Sequence, residues 1–332
     1  MDLIALTRTL VDIPSMTGSE AAISRFLAEF LAGAGYKVRT QDIENERRNV
    51  LAVDEERPEL IFCTHMDTVG PFFPFSEDKE FVYGRGACDA KGIIAAMITA
   101  ADDLRAEDYH SLGLLFLVGE ETHSDGAKVA DAISPGPRYL IMGEPTENVL
   151  ATSHKGILTV KVRARGRRAH SCYPELGESA VDKLLDILAS IRALDFGQDP
   201  DLGRATLNIG FLSGGSAPNV IADSAEAVVS LRLVGSPENA LKLIRGALRE
   251  GAELEVLSQS PPQRLFTLPG FRTAVMPYGT DIPHLKRYGT PLLIGPGSVH
   301  DAHHEREKVA KASLREAVEL YKNLGRRLAA ES

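Results

Sequence analysis

The chain is poor in cysteine, with three in 332 residues, and Cys63, Cys88 and Cys172 show no CxxC spacing. That number and spacing exclude a disulfide framework and a cysteine zinc site, and leave reduced thiols. Long apolar runs are missing as well. None reaches the roughly 18 residues of a membrane span. Met1-Asp2-Leu3-Ile4 has no basic region leading into an apolar stretch, so the expectation is a cytoplasmic protein with no secretory leader. Basic blocks are absent and the net charge is −9, which argues against a nucleic-acid partner. There is no GxSxG and no HExxH, so serine-hydrolase and thermolysin-like readings lack their signatures. Internal repeats and low-complexity segments are lacking too.

What is present is a globular composition, 44% hydrophobic and 25% charged. The length corresponds to about two domains at roughly 150 residues each. Over the first part of the chain, strand and helix patterns alternate. Residues 19–34 and 90–105 carry helical apolar spacing, and 36–41, 49–53 and 59–64 read as short strands. LGLLFLV at 112–118 and RYLIMGE at 138–144 are the continuous apolar runs of strands buried on both faces. This alternation predicts an α/β domain with a mainly parallel sheet. After residue 156 the pattern changes to strand 157–166, helix 178–194, strands 204–212 and 224–233, helix 237–249 and strand 252–257. That βαββαβ order is the ferredoxin-like plan. α/β signals resume at LLIG 292–295 and in an amphipathic helix from about 309. The expected organisation is a discontinuous α/β domain, 1–155 plus 263–332, interrupted by a small inserted domain over 156–262.

Five acidic or histidine-bearing segments sit beside these strands and turns. LIFCTHMD at 60–67 is a strand ending in His65-x-Asp67; residues i and i+2 share a face, so Asp67 could accept the second ring N–H of His65. YGRGACDAKG at 83–92 puts Asp89 where a Gly-rich turn enters a helix, and the alternative role is a plain N-cap. A phosphate loop fails, because neither GK[ST] nor a third correctly spaced Gly follows. LLFLVGEE at 114–121 places Glu120 and Glu121 after a buried strand, either as a solvated loop or as a carboxylate pair that needs a dication or a shared proton. YLIMGEPT repeats the arrangement around Glu144. IGPGSVHDAHHEREKV at 294–309 holds His300, His303 and His304, of which His300 and His304 could be solvated loop residues.

In order and spacing, HMDTV, YGRGACDAKG, VGEE, GEPT, HKG, GRRAHSCYPELGESA, APNVIADSAEA and GPGSVHDAHHEREKV resemble the di-zinc aminoacylase and carboxypeptidase-G metallopeptidase superfamily, which includes acetylornithine deacetylase and succinyl-diaminopimelate desuccinylase. The resemblance spans nearly the whole chain. It implies that the discontinuous domain is a metal-binding catalytic domain of the zinc-exopeptidase type with two Zn²⁺ ions, replaceable by Co²⁺, and that the inserted domain is a lid or dimerisation domain. Asp89 would bridge the ions, His65 and Glu144 would complete one site, and Glu121 and His303 the other; the spacing GPGxxxxAH selects His303. Asp67 would orient the histidine ligand, Glu120 would be the general base for a water activated between the metals, and His170 would stabilise the oxyanion, in relatives often from a partner subunit. Asn219 and Arg232 match substrate-contacting positions, the alternative for Arg232 being a strand salt bridge. The implied activity is amide hydrolysis of an N-acyl amino acid, acetylornithine deacetylase-like, by a homodimer joined through the inserted domain. The alternatives are a dipeptidase or aminopeptidase, a carrier-linked amino-acid hydrolase, and a non-catalytic relative, which should lack a ligand or the base. One departure is Thr280-Asp281, where relatives often carry Thr-Glu or Ser-Asp.

Overall fold

A computed structural model of the chain describes residues 2–330. Met1, Glu331 and Ser332, at the ends of the expected outer domain, lie outside the described residues. The chain divides into two compact units. The first comprises Met1–Thr152, Leu265–Ala274 and Thr280–Ser332, and the second Ser153–Arg264 and Val275–Gly279.

The strands that matter are, in chain order, β1 (Lys37–Asp42), β2 (Arg48–Val53), β3 (Leu60–His65), β4 (Leu112–Leu117), β5 (Tyr139–Met142), β6 (Gly156–Arg165), β7 (Thr206–Gly214), β8 (Ser224–Leu233), β9 (Ala252–Ser260) and β10 (Thr290–Leu293). The helices are α1 (Leu3–Val11), α2 (Ala21–Gly33), α3 (Lys91–Ala106), α4 (Ala180–Arg192), α5 (Pro237–Ala247) and α6 (Lys311–Ala330).

In the first unit β1-β2-β4-β3-β5-β10 form one sheet. β3 runs parallel to β4 and β5, and β10 parallel to β5. Only β2 runs against the rest, pairing antiparallel with β1 and β4. Every residue of β3, β4 and β5 is buried, as their unbroken apolar sequences require of strands covered on both faces. Their cover comes from the helices, whose apolar faces share one core with the sheet, from Leu6 and Leu27 through Ile94 and Phe116 to Leu324. Tight helix–sheet packing shows at Gly143, just past β5, where a Cβ would lie 2.4 Å from Ile93 Cγ2 of α3. α1 is an element that the periodicity analysis did not pick out. Asp2 caps it by accepting the Ile4 and Ala5 N–H groups at 3.1 and 3.3 Å, and Leu3, Leu6 and Leu10 are buried. Two short pairings also carried no readable sequence signal: Phe81–Tyr83 lies between Ser76–Glu77 and Lys308–Ala310, which ties the 84–90 loop to the chain after His303.

The second unit is a four-stranded antiparallel sheet ordered β7-β8-β6-β9, with its first and third strands central, as the ferredoxin-like plan requires. β6 alternates strictly, burying Leu158, Val160, Val162 and Ala164. These pack with Leu184, Ile187 and Ile191 of α4 and Ile244 of α5 in a separate core. Among the described residues, no helix is long and apolar enough to cross a membrane. Cys63 and Cys88 are buried free thiols and Cys172 an exposed one.

Candidate metal centre

Because β3, β4 and β5 are adjacent and parallel, their C-terminal ends open on the same edge of the sheet, where α/β folds gather ligands. His65 is the last residue of β3; Glu120 and Glu121 follow β4; Glu144 follows β5. Asp89 comes from the Gly-rich loop ahead of α3. It is not a helix cap, since α3 starts at Lys91 and Ala90 occupies the cap position, after a cis Asp89–Ala90 peptide. His303 reaches in from the loop after β10.

These side chains converge. His65 Nε2–H donates to Asp89 Oδ1 at 2.8 Å and lies 4.0 Å from Glu144 Oε2. The other Asp89 oxygen is 3.4 Å from His303 Nε2, which is 2.9 Å from Glu121 Oε2. Asp89 therefore stands between the two histidines, one on each carboxylate oxygen. Among the described residues His65, Asp89 and Glu121 form a metal-compatible group, with one ligand atom from each within 4.8 Å of the others. His303 is half exposed and sits at φ 60, a left-handed conformation that costs a non-glycine residue about 1–2 kcal/mol. His300 and His304 are exposed in the same loop.

The charges are poorly balanced by protein groups alone. Burial, reinforced by the Glu144 charge, raises the Glu120 carboxyl well above the usual range, and burial does the same to Glu144. Burial also raises Glu121, against the pull of its His303 bond. Burial opposes charge on His65, but its bonds to Asp67 and Asp89 outweigh that and hold its imidazolium well above the ordinary value. Bonds to Asp89 and Glu121 push His303 up to about 10. Burial acts against ionised Asp89 too, yet its two histidine bonds keep its carboxyl low. Glu144 Oε1 is buried with no hydrogen-bond partner. Two imidazoles, clustered carboxylates and an orphaned buried oxygen fit a divalent transition ion, whose charge would offset the repulsion.

Asp67 does more than the expected orientation of His65. It lies past the end of β3, and His65 Nδ1 is 3.0 Å from its backbone carbonyl and 3.4 Å from its carboxylate. That fully buried carboxylate accepts the Thr17 hydroxyl at 2.7 Å and the Glu120 and Glu121 N–H groups, each at 3.1 Å. One aspartate thus fixes both the histidine ring and the Glu120-Glu121 turn. The far side of the turn is tethered by Asn49 of β2 and by Arg47 just before that strand. Asn49 accepts the Val118 N–H at 3.2 Å and donates to the Gly126 carbonyl at 2.9 Å. Arg47 binds Glu20 through two bonds of 2.7 and 2.8 Å and reaches Asp125 at 3.3 Å.

Sequence reasoning missed this support: Arg47 and Asn49 carry no motif. Asp281 is a further member of the acidic group that no motif marks, beyond its departure from the family pattern at Thr280-Asp281. Asp281 is 1% exposed, burial raises its carboxyl to about 7, and its charge adds to the upward shifts of Glu120 and Glu144.

The remaining candidates, His170, Asn219 and Arg232, belong to the second unit. Exposed His170 and Asn219 are neighbours there: the Ser171 N–H donates to the Asn219 carbonyl at 3.0 Å, and His170 Nδ1 accepts the Cys172 N–H at 3.2 Å. Half-buried Arg232 lies on β8 opposite Ile157 and Thr206.

Residues 152–254 match the peptidase dimerisation domain of the M20 family. A probable carboxypeptidase of Aspergillus fumigatus is 38% identical over 97% of this chain and 86% of its own length. Two solved structures share the fold. A tripeptidase from Staphylococcus aureus superposes with TM-score 0.80 at 22% identity, covering 98% of both chains. An M20 family metallo-carboxypeptidase from Sulfolobus solfataricus superposes with TM-score 0.81 at 16% identity, covering 98% of this chain and 99% of its own.

Asp67→Ala should strand two N–H groups of the Glu120-Glu121 turn. Denaturant unfolding of the metal-free protein should show a loss of about 1–3 kcal/mol, and chelator competition a metal affinity 10- to 100-fold weaker. A variant with wild-type stability and affinity would show that Asp67 has no such part.

Proposed function

The chain belongs to the M20 peptidase family and is a hydrolase of that family, and we propose that it cleaves the amide bond of an N-acyl amino acid carrying a free α-carboxylate. The convergence of His65, Asp89, Glu121, Glu144 and His303 around one strand edge, with Glu120 beside them, carries this reading. Asp89 would serve two divalent ions, His65 and Glu144 completing one set and Glu121 and His303 the other, with zinc as the expected metal and cobalt as its substitute. When bound, such ions supply Lewis acidity and bring water's pKa towards neutrality.

The protein groups then have defined tasks. Glu120 makes none of the ligand contacts of its neighbour Glu121 and is free to take a proton from the attacking water at its carboxylate. It returns that proton to the departing amine nitrogen. His170 is assigned to the oxyanion and Arg232 to the substrate carboxylate, for which its planar fork is suited. Asn219, adjoining His170, is assigned to substrate contact. A peptidase is the second reading, favoured by the carboxypeptidase name of the fungal relative. For a dipeptidase or a carboxypeptidase, both readings share a scissile amide next to an amino-acid carboxylate.

A homodimer through the second unit is also proposed. β7 is an edge strand of that sheet, and its Phe211 and Leu212 are 48% and 52% exposed. An uncovered nine-residue edge carrying large apolar side chains is a template for pairing with a second copy.

Three measurements bear on this. Glu120→Gln should keep its metal by elemental analysis and lose about 10²–10⁴-fold in kcat/KM; turnover near wild type would remove Glu120 as base. With zinc or cobalt, N-acetyl and N-succinyl amino acids should be hydrolysed faster than dipeptides and tripeptides, whereas turnover of peptides alone would select the peptidase reading. Replacing both Phe211 and Leu212 by Lys should convert a dimer to a monomer in sedimentation velocity, and an unchanged dimer would place the interface elsewhere.

A further inference from the structure

Glu307 is a buried acid that the reaction does not use. It is 1% exposed, and one oxygen, Oε1, accepts three backbone N–H groups, those of Gly86, Cys88 and Asp89, each at 3.0 Å. The other, Oε2, accepts from Arg85 Nη1 at 2.7 Å. Arg85 is itself 2% exposed, donates to the Pro71 carbonyl at 3.2 Å and lies over the Phe73 ring. The Glu307 carbonyl accepts the Gly84 N–H at 3.1 Å, and the next residues, Lys308–Ala310, pair with Phe81–Tyr83. Every polar contact of this side chain is therefore made with the loop that presents Asp89.

We propose that Glu307 is a positioning residue for the metal centre: it fixes the backbone of Asp89 and locks that ligand in register with His303, four residues before it in the chain. The inference rests on Asp89 and His303 being metal ligands. Three N–H groups converging on one carboxylate oxygen are charge-assisted bonds, stronger than neutral ones. They orient the 86–89 peptide units as a nest around an anion. With its own N–H held, Asp89 has only its side-chain torsions left, so its two oxygens stay directed at the two histidines. The span from His303 to Glu307 thus delivers one ligand directly and anchors the loop that supplies another. Partners of metal ligands commonly change affinity by 10- to 100-fold when altered. A rival role is a simple staple of the fold, with no bearing on the metal geometry.

Glu307→Gln in the full-length protein separates the two roles. The amide keeps the volume and one acceptor oxygen but loses the charge and turns N–H donors towards Arg85 or the loop. The Kd for Zn²⁺ and Co²⁺, measured by chelator competition, should rise 10- to 100-fold, and the visible absorption of the Co²⁺ form should shift. Wild-type Kd and an unchanged Co²⁺ spectrum in the folded variant would overturn the proposal, whatever happens to the unfolding midpoint. Glu307→Asp, which keeps the charge and withdraws it by one carbon, carries the test on the same criteria if the Gln variant does not fold. Asp89→Ala is the control. If it binds metal as the wild type does, the ligand assignment fails; if it loses metal while the Glu307 variants do not, only the role of Glu307 fails.

Discussion

Mutual repulsion among buried carboxylates is the constraint around which the first unit is arranged. Asp89, Glu120, Glu121 and Glu144 share one edge of the sheet with only two imidazoles among them. Left to themselves, such groups would protonate or splay into solvent. The chain prevents splaying through the backbone rather than through the side chains. Three adjacent parallel strands fix where His65, Glu120-Glu121 and Glu144 begin, and the turns that follow are held by buried polar groups: Asp67 beneath the glutamate turn, Asn49 and Arg47 behind it, and Glu307 beneath the Asp89 loop. Each support is itself a buried polar group, tolerable only because its hydrogen bonds are met.

This separation explains what could be read from the sequence. Elements defined by apolar periodicity were legible: the buried strands β3, β4 and β5, helices α2 and α3, and the βαββαβ order of the second unit all follow from side-chain patterns lying within one segment. α1 has such a pattern and was still passed over, although Asp2 before Leu3 and Ile4 is a cap signal. The short strands Ser76–Glu77 and Lys308–Ala310 were not legible at all, because a two- or three-residue strand carries no period and exists only through its partner.

The candidate site divides in the same way. Residues of characteristic type beside strand ends, such as His65 and Glu144, can be found in one dimension. Their supports cannot. Glu307 lies in an exposed-looking run, HHEREK, and nothing in that run distinguishes it from Glu305, which is exposed. Only the approach of the 84–89 loop makes it a buried anchor. Arg47 looks like one more charge in ENERRN, yet it is nearly fully buried against Glu20, whereas Arg48 beside it is exposed. Asp67 was found for its place beside His65, but its grip on the Glu120-Glu121 backbone depends on β3 and β4 being neighbours.

Charge also bears on how many ions the proposed centre would hold. When ionised, Asp89, Glu120, Glu121 and Glu144 carry four negative charges. One dication would leave two of them uncompensated in a largely buried space where Asp281 adds to the same repulsion, and two dications would balance all four. Near-neutrality matters for the proposed substrate, whose carboxylate would be repelled by a centre still carrying excess negative charge. It matters equally for Glu120, whose carboxyl is raised first by burial and then by the Glu144 charge, because nearby dications would lower it towards the range in which the ionised form accepts a proton. On the proposed reading, a cluster of acids that is unfavourable by itself would become, with two dications, a site where a carboxylate substrate could approach and a glutamate could accept a proton.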